Sequence, residues 1–312
     1  MGNVKRQKAG FGEKGQSKEN KELDINIEKE VANIKISINK NDFEKAEAKL
    51  KTLLRTKADK VMIYMTLTNI KLKQKCYNEA ILYSKKVIAL NDTFADAYIK
   101  IAISFQLLKD YESSIKYYKH SIELKPNDPG LYINYGSALK SNKDLVNACL
   151  NFKKAINLNP SIAIAYYNLA LTLEDLGEYR NAFNQYEIAF KLEPNLPNCK
   201  LRMSSCLCEI KSYDDASNIC KELLKLNKNN YKIYNLLAYI SFKKRNFEDA
   251  TNYIQNAYGL APENLEVLNL FGCIYKEQKI YDKSILFFKK VLDINSDHHN
   301  AIYNLANIYD IK

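Results

Sequence analysis

Leu124-Lys125-Pro126, Leu158-Asn159-Pro160, Leu192-Glu193-Pro194 and Leu260-Ala261-Pro262 are one signal written four times. A leucine, one spacer and a proline read as the end of a helix, because proline cannot continue one. The prolines stand 34, 34 and 68 residues apart. Leu226-Asn227-Lys228 fills the gap at the same phase. Stepping by 34 also reaches Leu90-Asn91-Asp92 upstream and Ile294-Asn295-Ser296 downstream. The register holds over eight units: 27–60, 61–94, 95–128, 129–162, 163–196, 197–230, 231–264 and 265–298. A ninth begins at His299 and supplies one helix over 299–312. A fixed period of this length marks a repeat architecture.

Each unit reads as two helices. In 163–196, Tyr166, Leu169, Ala170 and Leu173 form one face of a first helix. Leu176-Gly177-Glu178-Tyr179 is the turn, and Ala182, Tyr186 and Ala189 are the face of a second helix. The eighth position stays small through Ala102, Gly136, Ala170, Ser204, Ala238, Gly272 and Ala306. So does the twentieth, through Ala46, Ala80, Ser114, Ala148, Ala182, Ala216, Ala250 and Ser284. Small residues are required where two helix backbones approach closely, and large ones at the fourth and twenty-fourth positions fill the space beside them. No unit can bury its apolar face alone, but stacked neighbours can.

Composition agrees. The chain of 312 residues is 46% hydrophobic, enough for a sizeable core. Nine Gly and six Pro are too few for a turn-rich sandwich, a barrel or a Gly-rich nucleotide-binding fold. The expected class is all-α.

The pattern aromatic–Leu–small…Ala…aromatic–Ala…Pro at a period of 34 resembles the tetratricopeptide repeat (TPR) family. The likeness covers 27–312, over 90% of the chain. It implies a right-handed α-solenoid, or superhelix, of antiparallel helix pairs, similar to bacterial TPR arrays and to the TPR superhelix of O-linked N-acetylglucosamine transferase. The first unit, with Glu30 at the aromatic position, is the weakest match and reads as an N-terminal cap. Residues 1–24 have no periodicity and read as a disordered basic arm.

The resemblance also implies a concave groove lined by first helices. Its second, fifth, sixth, ninth and twelfth positions include Asn69, Lys100, Asn134, Ser137, Tyr167, Asn168 and Arg202. They continue through Ser205, Asn235, Tyr239, Asn269, Tyr303, Asn304 and Asn307. Asn can donate to and accept from a peptide backbone at once, and Tyr adds contact area at low entropic cost. The bland alternative is that any polar residue serves on a wet face. Two family precedents fit only in part. A clamp for a free C-terminal carboxylate finds Asn168 and Arg202, but Ile133, Ser137 and Asn198 stand where Lys, Asn and Lys are wanted. An asparagine ladder at the sixth position finds Asn134, Asn168 and Asn304, but meets Lys100 and Arg202 as well.

Catalytic chemistry is sparse. No Ser/His/Asp arrangement and no phosphate loop is present. Glu174-Asp175 and Asp214-Asp215 sit at helix ends and read as solvated carboxylates. Cys206 and Cys208 lie on opposite sides of a helix, so with Cys199 and Cys220 they read as buried small hydrophobes rather than metal ligands. His298-His299 lacks further donors beyond Asp297. We expect no cofactor and no metal. Seven scattered cysteines and no apolar leader segment suggest a reducing cytoplasm, and no apolar stretch is long enough to span a bilayer.

Net charge is +11, all of it carried by 1–162, while 163–312 sums to zero. An acidic partner for the N-terminal half is one reading, and solvated lysine faces are the other. Five Arg against 42 Lys argue against specific nucleic-acid readout. In the ninth unit, Ile302, Ile308 and Tyr309 spread around the helix and cannot all face unit eight, so the expectation is either that the native polypeptide continues past Lys312 or that this helix pairs with a second copy. The sequence thus reads as a non-catalytic scaffold or adaptor that binds a polypeptide. The alternative is the substrate-recognition arm of a glycosyltransferase- or sulfotransferase-type enzyme whose catalytic domain is absent from this chain.

Overall fold

The computed structural model describes residues 29–56 and 58–311; the basic arm assigned to 1–24 lies outside them. The described residues form helices without strands. First helices of the repeats are α1 (29–39), α3 (Lys60–Lys73), α5 (Ala95–Leu107), α7 (Pro129–Ser141) and α9 (Ala163–Asp175), followed by α11 (Cys199–Glu209), α13 (Tyr231–Lys243), α15 (Leu265–Glu277) and α17 (His299–Ile311). Second helices are α2 (Phe43–Leu53), α4 (Tyr77–Leu90), α6 (Tyr111–Leu124), α8 (Leu145–Leu158), α10 (Tyr179–Leu192), α12 (Tyr213–Leu226), α14 (Phe247–Leu260) and α16 (Tyr281–Ile294). Each second helix starts at the seventeenth position of its repeat. From α4 onward each ends at the Leu or Ile of the Leu-x-Pro phase.

The turn between the two helices is a backbone requirement repeated every 34 residues. Asn41, Lys75, Lys109, Lys143, Gly177, Lys211, Arg245 and Lys279, all fifteenth in their repeats, have φ between 58° and 77°. The next residue's N–H reaches back to the carbonyl of the eleventh, as from Glu178 to Leu173 at 2.8 Å and from Ile280 to Tyr275 at 2.9 Å. This left-handed cap satisfies carbonyls that the helix end would otherwise orphan. Only one of the eight positions carries glycine, the residue that pays no steric penalty there.

The described residues divide into two compact bodies, with the division between residues 144 and 145. Within each, every helix packs on the next in sequence, and first helices of successive repeats also touch: α3 with α5, α11 with α13, α13 with α15, and α15 with α17. Small residues at the eighth and twentieth positions make these approaches possible, and Ala80, Ala102, Ala170, Ala182, Ala238 and Ala250 are fully buried. Where serine replaces alanine, its hydroxyl bridges the pair. Ser114 Oγ donates to the Ala102 carbonyl at 2.8 Å, Ser204 Oγ to Ala216 at 2.9 Å, and Ser284 Oγ to Gly272 at 2.8 Å. A buried hydroxyl is thereby satisfied without widening the contact.

Not every lysine of the basic N-terminal body is a solvated surface charge. Lys71 is buried between Glu47 and Glu79, 2.8 and 3.0 Å from their carboxylates. Burial alone would lower its pKa, but the two carboxylates outweigh it and hold it above the usual lysine value.

Candidate functional site: a groove along the first helices

In the C-terminal body, α9, α11, α13 and α15 line an open groove of about 1280 Å³. Tyr167 enters from α9, and Arg202, Ser205 and Cys208 from α11. Asn235, Leu236 and Tyr239 enter from α13, and Asn269, Leu270 and Cys273 from α15. The repeat register causes this convergence, since residues 34 apart take the same aspect of neighbouring first helices. A smaller cleft of about 500 Å³ between α10 and α12 is lined by Arg180, Phe183, Asn218 and Ile219. It offers fewer polar groups and less room.

Six of the residues singled out from sequence therefore share the groove: Tyr167, Arg202, Ser205, Asn235, Tyr239 and Asn269. Asn168, next to Tyr167 on α9, is half-buried outside its lining. Asn304 is also outside it, with its carboxamide already used. It accepts from Lys276 Nζ at 2.7 Å and donates to the Asn300 carbonyl at 2.8 Å. Tyr303 and Asn307, on α17, are outside it as well, and the other four lie in the N-terminal body. Asn69 is exposed on α3, Lys100 is half-buried on α5, and Asn134 and Ser137 are half-buried on α7. Ser137 Oγ donates back to the Ile133 carbonyl at 2.8 Å.

Asn235 and Asn269 differ from the other asparagines. Each has a side-chain carboxamide oxygen that is buried and has no hydrogen-bond partner. They occupy the same position of consecutive repeats, on two first helices that touch. An unsatisfied amide oxygen costs about 1–3 kcal/mol. Rotation into the groove would let either carboxamide recover that loss from a ligand.

Glu174 corrects an expectation. Its side chain is only 12% exposed, not solvated, and its carboxylate collects three donors. Arg202 Nη1 lies 3.2 Å away and Tyr186 OH donates at 3.0 Å, both to Oε2, while Cys206 Sγ donates to Oε1 at 3.1 Å. Burial, and then the Glu174 charge, push the Tyr186 phenol and the Cys206 thiol well above their usual values. The cluster is a structural brace that holds Arg202 at the groove wall. Burial also raises Tyr239 to about 12, with Glu209 adding to the shift.

The four clustered cysteines are buried as expected, and the thiols of Cys199 and Cys220 are pushed up to about 11 by that burial. Among the described residues no three His, Cys, Asp or Glu side chains group as metal ligands, and no helix is long and apolar enough to cross a membrane. His298 Nδ1 accepts from the Ala301 N–H at 3.2 Å, capping α17.

Other residues line the groove besides those named from the repeat register. Asn198, Lys232, Glu266 and Asn300 hold the second position, so the periodicity could have supplied them. Glu263 and Asn264 come from the turn before α15, which a helix-face argument does not reach. The lining has three acidic residues, Glu209, Glu263 and Glu266, against Arg202 and Lys232. The basic surplus of the chain is therefore not expressed in this groove.

The tetratricopeptide repeat family matches residues 95–128, 129–162, 151–183, 231–264 and 265–298, together just over half of the chain. No curated protein matches it closely in sequence. Among solved structures it is similar to a tetratricopeptide repeat protein from Parabacteroides merdae, with 13% identity and a TM-score of 0.66 over 81% of this chain and 100% of that one. The C-terminal part of a TPR repeat-containing protein from Cytophaga hutchinsonii is 17% identical, with a TM-score of 0.60 over 77% of this chain and 99% of its own. Pseudomonas aeruginosa pilF is 20% identical, with a TM-score of 0.56 over 67% and 95%. At these identities the likeness concerns the fold. Periodicity, paired helices and family match agree, and the chain belongs to the tetratricopeptide repeat family of helical protein-interaction scaffolds.

Proposed function

We propose that the chain is a non-catalytic scaffold whose C-terminal groove holds an extended segment of another polypeptide. The observation that carries this reading is the pair Asn235 and Asn269, with unsatisfied carboxamide oxygens at equivalent positions of touching helices. Packed helices lie about 8–10 Å apart. An extended chain rises about 3.3 Å per residue. A segment crossing α13 and α15 would thus meet the two carboxamides about three residues apart. Tyr167, Tyr231 and Tyr239 add aromatic area beside them. The seven free thiols suit a cytoplasmic setting. An acidic partner remains a reading for the basic N-terminal body, and self-association a reading for α17.

The test is binding of a fluorescent library of 12-residue peptides to the full chain. Asn235→Ala with Asn269→Ala should weaken the selected peptides by about 1–3 kcal/mol while leaving the far-UV helical signal unchanged. Selected peptides indifferent to both substitutions would move the site elsewhere.

A further inference from the structure

One repeat breaks the regular pattern beside the groove. α9, α13, α15 and α17 begin at the first position of their repeats, but α11 begins at the third, Cys199. The cause is local. Pro197 at the first position does not by itself delay a helix, since Pro129 begins α7 at the same place, but Asn198, the cap, is left-handed with φ 60°. A left-handed residue cannot be part of an α-helix, so the first half-turn is missing.

The missing half-turn uncovers the end of the antiparallel α12. Leu226, its last residue, is 83% exposed, whereas Leu192, Leu260 and Ile294 at the same position are 42–50% exposed. A notch of about 330 Å³ opens there, with apolar walls including Phe190, Pro194, Leu196, Leu223 and Ile233. That volume is at the small end of the range for binding clefts. Its rim charges cancel, since Lys200 Nζ is 3.2 Å from the Glu222 carboxylate and lies over the Phe190 ring. Asn198 and Leu201 line both the notch and the groove, so the two spaces adjoin at the start of α11.

We propose that the notch is a specificity pocket for one bulky apolar side chain, leucine or aromatic, of the polypeptide held in the groove. The inference rests on the groove reading above. Regular first helices grip a backbone without choosing a sequence, and the interrupted one supplies the choice. A charged side chain gains little there, because Phe190, Leu196, Leu223 and Ile233 face the space, its polar lining at Asn198, Asn227 and Asn230 carries no charge, and Lys200 at the rim is paired with Glu222. An apolar side chain gains burial against Leu226, Leu196 and Leu223.

A positional-scanning library of 12-residue peptides tests this on the full chain. Wild type should enrich Leu, Ile, Phe, Tyr or Trp at one position. Leu226→Glu is tolerable to the fold because the side chain is already exposed, and circular dichroism checks this. It should abolish that preference and weaken the best peptide about tenfold, while residual binding still falls with Asn235→Ala and Asn269→Ala. Pro197→Ala with Asn198→Ala lets α11 start two residues earlier, closes the notch and should give the same loss. A preference that survives both variants, or no apolar preference at all, overturns the pocket. Peptide binding that ignores Asn235 and Asn269 overturns the groove reading, and the pocket with it.

Discussion

Gly272 on α15 faces the ring of Phe288 on α16 so closely that a methyl group on Gly272 would lie 2.6 Å from the ring. The helices are locked at the same place by Ser284 Oγ, which donates to the Gly272 carbonyl at 2.8 Å. Phe288 is fully buried and cannot move aside. Gly272→Ala should therefore destabilise the chain by about 1–3 kcal/mol through overpacking, read as a lower urea midpoint. Adding Phe288→Leu should recover part of the loss. A neutral Gly272→Ala would show that the two helices can slide apart freely.

Turn residues offer the opposite effect. Lys109 (φ 64°) and Lys211 (φ 63°) adopt a conformation that Gly177 adopts without strain. Lys109→Gly or Lys211→Gly should each raise stability by about 0.5–1 kcal/mol in urea titrations. Gly177→Ala should lower it, through backbone strain alone, because its added methyl would meet nothing within 4 Å.

Buried thiols set a pH limit. Cys199 and Cys220 are held at about 11 in the folded chain, against an ordinary value of 9.0. The folded values are raised, so the unfolded chain loses these protons first. Their contribution is intact below about pH 9 and is lost as pH rises toward 11, at about 1 kcal/mol per thiol by pH 10. Urea midpoints measured at pH 7, 9 and 10 should fall over that window. Cys199→Ala and Cys220→Ala should each flatten the fall, and parallel curves would assign it to other groups.

The outer face of α17 is the fourth test. Ile308 is fully buried, but Ile302 is 45% and Tyr309 55% exposed. Leu173, Leu207, Ser241 and Tyr275, the residues at the position of Tyr309 in the four preceding repeats, are all buried. Sedimentation velocity at micromolar concentration should show association that Ile302→Glu with Tyr309→Glu removes. A concentration-independent monomer would mean that the exposed face stays solvated.

The sequence by itself determined the architecture, because the cause of the fold is periodic. Small residues at the eighth and twentieth positions and a helix stop at the Leu-x-Pro phase, repeated at a period of 34, specify the same helix pair along the chain. The burial of Cys199, Cys206, Cys208 and Cys220 followed from the same register. It could also place Tyr167, Arg202, Asn235, Tyr239 and Asn269 on one aspect of the first helices. Tertiary structure alone decided which of them remain available. Arg202 is tied to Glu174, a residue 28 positions away that sequence placed in solvent, and Asn304 is satisfied by Lys276. Asn235 and Asn269 are left without partners, although they read no differently along the chain. The notch at α11 likewise required three dimensions. Pro197 and Asn198 mark a delayed helix start, but its consequence is felt at Leu226, on the neighbouring helix, where an antiparallel pair brings a beginning beside an end. Periodicity fixes which way side chains face, whereas hydrogen-bond satisfaction and open volume depend on contacts between repeats, which no single repeat encodes.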